Sequence, residues 1–186
     1  ATLLNKQSNR INHQMLRRAI ILSAGQGRRL LPLTESTPKC LLPVAEKPVV
    51  FWQIDTLLAA GIDEIIVVGG FQIDKVEKYL FERYRDHPGI KVFFNPFYEV
   101  ADNLASCWMI HQQMNTDFLL LNGDTLIDAA VLAGVLGSKA SPITLCVDFK
   151  DTFDEDDMKV QLGASGQVRQ VSKKLSADET DAESIG

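Results

Sequence analysis

The sequence predicts an α/β fold, a mostly parallel sheet with helices on both faces. Three observations carry that expectation. Runs that are apolar at consecutive positions recur at Ala19–Ala24, Ile65–Val68 and Phe118–Leu121, as in strands covered on both sides. Segments with apolar residues at helical spacing separate them. Glycine-containing turns follow each run, at Gly25–Gly27, Gly69–Gly70 and Gly123, where a strand must hand the chain to a loop or helix.

The elements follow in order. Residues Ala1–Arg18 form a basic N-terminal extension without an acidic residue; Leu4, Ile11, Met15 and Leu16 trace a weak helical face. Ala19–Ala24 is the first buried strand. Pro32, Pro38, Pro43 and Pro48 make the next stretch loop and short turns. Val50, Phe51, Ile54, Leu57 and Leu58 have helical spacing, and Gly61 is a natural stop. Ile65–Val68 is a strand, Ile73–Tyr84 an amphipathic helix and Ile90–Phe94 a strand. Asn103–Met114 reads as a helix with Leu104, Met109 and Trp108 inward, and Phe118–Leu121 as a central strand. A short helix at Ala129–Leu136 and a strand at Ile143–Val147 come next. Met158–Leu162 and Gln167–Val171 suit a hairpin around Gly163 and Gly166. Strand–helix alternation of this kind is Rossmann-like. The chain stops at Glu183–Gly186, where the pattern opens a new strand; the expectation is a domain over 19–186 that is incomplete at its C-terminus.

Composition narrows the function. The 186 residues are 46% apolar and 23% charged, ordinary for a chain that buries a core. Nineteen basic against 24 acidic residues leave a net charge of −5, so no broad positive surface invites nucleic acid. Cys40, Cys107 and Cys146 are widely spaced and propose neither a disulfide framework nor a zinc site. Reduced thiols in a cytoplasmic setting are expected. The apolar run at Ile20–Ala24 is too short to cross a membrane, and nothing resembles a signal peptide.

The first glycine loop carries the most chemistry. Gly25 and Gly27 follow a buried strand, where backbone amides can face phosphate oxygens; a plain tight turn is the competing reading. A dinucleotide fingerprint needs glycine at position 30, which is Leu30. A phosphate loop of the Gly-Lys-Ser/Thr type is absent. Arg28 and Lys39 are cations placed to neutralise phosphate charge, while Arg29 can equally face solvent. At the end of the Phe118–Leu121 strand, Asp124 can reach the usual ligand crevice and take Mg²⁺, a hard cation that prefers oxygen.

The stretch Ser23-Ala24-Gly25-Gln26-Gly27-Arg28-Arg29-Leu30-Leu31-Pro32-Leu33-Thr34, followed by Thr37-Pro38-Lys39-Cys40-Leu41-Leu42-Pro43-Val44, resembles the signature of the nucleotidyltransferases that activate sugar phosphates and phosphocholine. The resemblance implies that Ala24, Gly25 and Gly27 grip a nucleoside triphosphate. It implies that Arg28 contacts its β- and γ-phosphates, that Lys39 stands near the reacting centre, and that Asp124 binds the metal. Relatives supply a second metal-binding Asp; Asp178 and Asp181 match it poorly, and it is expected beyond Gly186. Gly70, Asn103 and Ser106 fall where relatives line the base pocket, in a manner similar to the cytidylyltransferase branch, although Asn103 also suits a helix cap. Lys159, Lys173 and Glu183 fall where relatives form the acceptor pocket, and both lysines also suit a solvated strand edge.

The expected activity is Mg²⁺-dependent transfer of a nucleotidyl group from a triphosphate, CTP by preference, to a small phosphorylated acceptor, with release of pyrophosphate. Phe97, Tyr98 and Trp108 are candidate walls for the quaternary ammonium of phosphocholine; a sugar 1-phosphate is the alternative acceptor. A nucleotide-sensing domain without turnover is a second reading. A glycosyltransferase is a third, weakened because Asp124-Thr125-Leu126 lacks an Asp-x-Asp pair. A homo-oligomer is left open.

Overall fold

The structure is a computed structural model that describes residues 16–138 and 141–185. Its first layer is a parallel sheet of β1 (Arg18–Ser23), β4 (Glu64–Gly69), β5 (Ile90–Phe94) and β6 (Phe118–Asn122), in the order β5-β4-β1-β6. Between β1 and β4 lie β2 (Pro43–Val44), β3 (Lys47–Pro48) and α1 (Val49–Ala59). Helix α2 (Ile73–Tyr84) joins β4 to β5, and α3 (Asn103–Met109) joins β5 to β6. Helix α4 (Ala129–Leu136) follows β6.

The side-chain period of two explains the core. Ala19, Ile21, Ile65, Val67 and Leu121 point to one face, where they meet Val50, Ile54 and Leu57 of α1, Val76 and Leu80 of α2, and Leu132 of α4. Ile20, Leu22, Ile66 and Val68 point to the other, against Ile110. Both faces of β1 and β4 are therefore covered, which is why their sequences are apolar without alternation. Ile21 is fully buried, and truncating it to Ala would cost about 2–5 kcal/mol. Gly61 ends α1 with φ +84°, a left-handed conformation open to glycine.

Several expectations change. The sheet is not one mostly parallel unit. The remaining strands, β7 (Val147–Asp148), β8 (Lys159–Leu162), β9 (Val168–Val171) and β10 (Ala182–Ser184), form a separate antiparallel sheet in the order β7-β10-β8-β9. The hairpin around Gly163 and Gly166 is present as β8–β9, but the strand expected over Ile143–Val147 begins only at Val147. The closing segment, read as the opening of another unit, lies inside this sheet, with Ala182 opposite Val160 and Ser184 opposite Val147. Pairing with strands already made accounts for its pattern.

Strand β6 is not central. Among the described residues it pairs with β1 alone, at the edge of the sheet. Helix α3 stops at Met109 and is followed by a short 3-10 turn at His111–Gln113. Its inward residues are Ser106 and the following Ile110, whereas Leu104, Met109 and Trp108 are exposed. Strand β1 starts at Arg18, whose guanidinium pairs with Glu64 and donates to the Gln113 carbonyl. The rest of the expected basic extension, residues 1–15, lies outside the described residues, as does Gly186.

Candidate functional site

The Gly25–Gly27 loop, Lys39 and Asp124 gather at the carboxyl end of the parallel sheet. β1 ends at Ser23 and the chain turns through Gly25 and Gly27. Gly27 has φ +76° and opens the 3-10 turn Arg28–Leu30. A Cβ on Gly27 would sit 3.0 Å from Cβ and Cδ of Lys39, so the loop and the lysine stem lie in close contact only because the residue is glycine. The fully buried Thr34 fixes the loop by donating from Oγ1 to the Gly27 carbonyl at 2.9 Å.

Lys39 lies on a second 3-10 turn, Lys39–Leu41, which Pro38 precedes and Cys40 and Leu41 anchor in the core. Burial pushes the Cys40 thiol up to about 12 against a smaller opposing effect of Ser23, so it stays protonated and serves as packing. The Lys39 ammonium pairs with the Asp124 carboxylate. Asp124 sits on the turn after β6. The preceding Gly123 donates to the Leu22 carbonyl at 2.8 Å, and a Cβ there would meet that carbonyl oxygen at 2.6 Å. Thus β1 positions both loops: one continues from it and the other lies on its last residues.

The remaining residues separate into groups. Ala24 accepts from Phe71 N at 3.0 Å, and Gly70 packs with no room for a Cβ between the Ala24 oxygen and Tyr98. Gly25 is exposed with open space around it. Arg28 borders a recess of about 240 Å³ with Gln26, Tyr98 and Glu99. Arg29 pairs with Asp156 at 3.4 Å, although both are largely exposed. Asn103 does not cap α3; Asp102 does, accepting from Leu104 N at 3.0 Å. That leaves the Asn103 amide to donate to Asn122 Oδ1 at 3.1 Å, beside the Asp124 turn. Ser106 is buried and accepts from Asn95 Nδ2 at 2.9 Å, tying α3 to the end of β5.

Lys159, Lys173 and Glu183 belong to the antiparallel sheet and its loops. Lys159 Nζ donates to the Lys173 carbonyl at 3.2 Å, and Lys173 pairs with Asp156 at 3.5 Å. Glu183 pairs with Lys150 at 2.6 Å, and Lys150 also holds Asp157 at 2.6 Å. Hydrogen bonds to Asp157 and Glu183 hold the Lys150 pKa above the usual lysine range. Two contacts bring this sheet to the first: Arg29 to Asp156, and Thr125 Oγ1 to the Ile185 carbonyl at 3.2 Å. Lys150 does not stand out in the sequence; its only signal there is a basic residue beside an acidic run.

Two of the expected aromatic walls meet other rings. Trp108 stacks on His111 with centroids 5.1 Å apart, whereas Tyr98 meets Phe71 edge-on. Trp108 instead lines an apolar groove of about 790 Å³ with Leu104, Cys107 and Met114. Among the described residues no cluster of three His, Cys, Asp or Glu side chains is placed to enclose a metal. A lone exposed carboxylate still suits Mg²⁺, which keeps several waters and is completed by substrate phosphates around one or two protein oxygens. No helix among the described residues is long and apolar enough to cross a membrane.

Fold and site define an α/β domain with a glycine loop, a lysine and an aspartate at the carboxyl edge of its parallel sheet. The chain belongs to the nucleotidyl transferase family, whose model matches residues 18–151. It is 36% identical over 103 residues to a choline-phosphate cytidylyltransferase of Streptococcus pneumoniae, covering 55% of this chain and 43% of that protein. It is 33% identical over 129 residues to an N-acetylmuramate α-1-phosphate uridylyltransferase of Neisseria meningitidis, covering 67% and 54%. The matched stretches thus span about half the length of these relatives. Among solved structures, the CTP:phosphocholine cytidylyltransferase of Streptococcus pneumoniae superposes with a TM-score of 0.66 at 26% identity, over 91% of this chain and 68% of that one.

Proposed function

We propose that the protein transfers a nucleotidyl group from a nucleoside triphosphate to a small phosphorylated acceptor and releases pyrophosphate. The observation that carries this reading is the meeting of Lys39 and Asp124 beside the Gly27 loop. An acceptor phosphate oxygen attacks the α-phosphorus in line, a bond to that oxygen forms, and the bond to the pyrophosphate oxygen breaks. The acceptor is already a competent nucleophile, so the protein's work is positioning and charge neutralisation. The amides around Gly25 and Gly27, with Arg28, hold the leaving pyrophosphate. Lys39 leaves its pairing with Asp124 to meet charge at the reacting phosphates. Asp124 would hold Mg²⁺, which when bound neutralises phosphate charge. Ala24, Gly70, Asn103 and Ser106 remain the candidates for the nucleoside side, and Lys159, Lys173 and Glu183 for the acceptor side.

A sugar 1-phosphate is the favoured acceptor. The uridylyltransferase relative named above acts on one, and two of the aromatic groups invoked for phosphocholine, Tyr98 and Trp108, pack against other rings. CTP with phosphocholine is the second reading, favoured by the likeness to the choline-phosphate enzyme in both sequence and fold. The test is pyrophosphate release with Mg²⁺, crossing CTP, UTP, GTP and ATP with glucose, mannose and N-acetylmuramate 1-phosphates and with phosphocholine. Release with a sugar 1-phosphate is expected. Release with phosphocholine alone would establish the second reading. Nucleotide binding without release from any pair would overturn turnover in favour of a sensing domain.

A further inference from the structure

Helix α1 presents an apolar face to the core through Val49, Val50, Ile54 and Leu57, and Gln53 interrupts it. Gln53 is only 3% exposed. Burying a primary amide is costly unless hydrogen bonds offset the loss of water. Its Nε2 donates to two backbone carbonyls, Asn122 and Thr125, each at 2.8 Å. These carbonyls bracket Gly123 and Asp124. The turn's own closing bond, Thr125 N to the Asn122 carbonyl, is longer at 3.3 Å.

We infer that Gln53 is a positioning residue, which clamps the Asn122–Thr125 turn so that the Asp124 carboxylate is held in place for a magnesium-bound nucleotide. This rests on the nucleotidyl-transfer reading. The turn is then fixed from three elements. β1 holds it through Gly123 N and the Leu22 carbonyl, α3 through Asn103 and the Asn122 side chain, and α1 through Gln53. The Gln53 bonds are the ones that span the aspartate. The chemistry of the side chain is also specific. One nitrogen carries two hydrogens and so serves two acceptors. Rotating the amide would set Oε1 against both carbonyls, so the donors dictate its orientation. Oε1 itself is buried with no partner among the described residues. A Met of similar length would leave both carbonyls unpaired, and a Glu would oppose them with like partial charge.

The experiment compares the full chain with Gln53→Met and with Ile54→Val, a control on the same buried helix face whose side chain makes no hydrogen bond to the turn. Two measurements are made. Amide hydrogen exchange without ligand reads the turn. In Gln53→Met, exchange at Gly123–Thr125 is expected to accelerate about tenfold or more relative to Ile20–Leu22, and in Ile54→Val the two segments are expected to keep their ratio. Affinity for CTP, UTP, GTP and ATP is then measured with Mg²⁺ and with EDTA. The tightening that Mg²⁺ confers is expected to fall about 10- to 100-fold in Gln53→Met, as for other residues that orient a metal ligand. Metal-free affinity and the control are expected to stay within threefold. An unchanged exchange ratio in Gln53→Met overturns the clamp. Faster exchange with an unchanged Mg²⁺ effect overturns its role in holding the metal-bound nucleotide. If the unaltered protein binds none of the four nucleotides, the nucleotidyl-transfer reading fails, and with it the placement for a nucleotide, while the exchange ratio still decides whether Gln53 clamps the turn.

Discussion

The ammonium of Lys39, on a turn anchored in the core by Cys40 and Leu41, and the carboxylate of Asp124, on a turn held by β1, form an ion pair across 85 residues of sequence. Both groups are partly open to water, so screening keeps the pair's contribution to stability to about 1 kcal/mol or less. Its significance for the proposed reaction is that the cation proposed to neutralise phosphate and the carboxylate proposed to hold the metal stand at one point.

Replacing either partner therefore separates stability from activity. Asp124→Asn and Lys39→Met are expected to leave the thermal midpoint within a few degrees, because a loss of about 1 kcal/mol corresponds to only about 2–4 °C in a domain of this size. Each is expected to lower kcat by about 10²–10³, the cost of removing one preorganised charge-stabilising group. Calorimetry beside a pyrophosphate assay checks both; a large fall in midpoint with unaltered kcat would assign the pair a structural role.

The two loop glycines are expected to respond differently to alanine. At Gly27 the left-handed φ and the 3.0 Å approach to Lys39 make a Cβ costly, about 1–2 kcal/mol from the backbone alone. Gly27→Ala should lower the unfolding midpoint and displace Lys39. Gly25 has φ outside the left-handed region and open space around it, so Gly25→Ala should retain stability and weaken only nucleotide binding. Urea titration and nucleotide titration of the two variants distinguish these outcomes.

Asp55 supplies a pH dependence away from the site. Burial works against its charge, but hydrogen bonds from Lys47, Tyr84 and Arg83 outweigh burial and hold its carboxyl below the usual aspartate range. A lowered folded-state pKa gives stability that is present above the unfolded value of about 3.9 and is lost as pH falls through the folded one. The stability difference between the unaltered protein and Asp55→Asn should be constant from pH 7 to about pH 5, then shrink below about pH 4. Urea midpoints across that range test the sign.

Trp108 is 72% exposed. A core tryptophan loses about 3–5 kcal/mol on truncation, whereas exposed positions usually change stability by about 0.5 kcal/mol or less. Trp108→Ala is expected to follow the second pattern, and its unfolding midpoint decides between them.

Much of the fold was legible because its signals are local. The strand at β1 is apolar at every step since both faces are covered, and α2 runs from Ile73 to Tyr84 as its spacing predicts. Less was legible where a signal is shared by two environments. The apolar residues of α3 have helical spacing whether they face the core or a groove, so Leu104 and Trp108 gave no sign of their exposure. Asn103 and Asp102 are both good caps, and only the fold decides that Asp102 serves while Asn103 reaches Asn122. Gln53 drew no role because the carbonyls it meets lie about 70 residues away.

By itself the sequence determined the alternation of strands and helices, the glycine loop after β1 and an aspartate at the end of β6. Each follows from side-chain periodicity or turn chemistry within a few neighbouring residues. Tertiary structure alone decided that the last strands form a second, antiparallel sheet, that β6 lies at an edge, that Lys39 meets Asp124 and that Gln53 clamps the turn. Those outcomes depend on hydrogen bonds and burial between residues far apart in the chain, and a partner at that distance leaves no pattern in the local sequence.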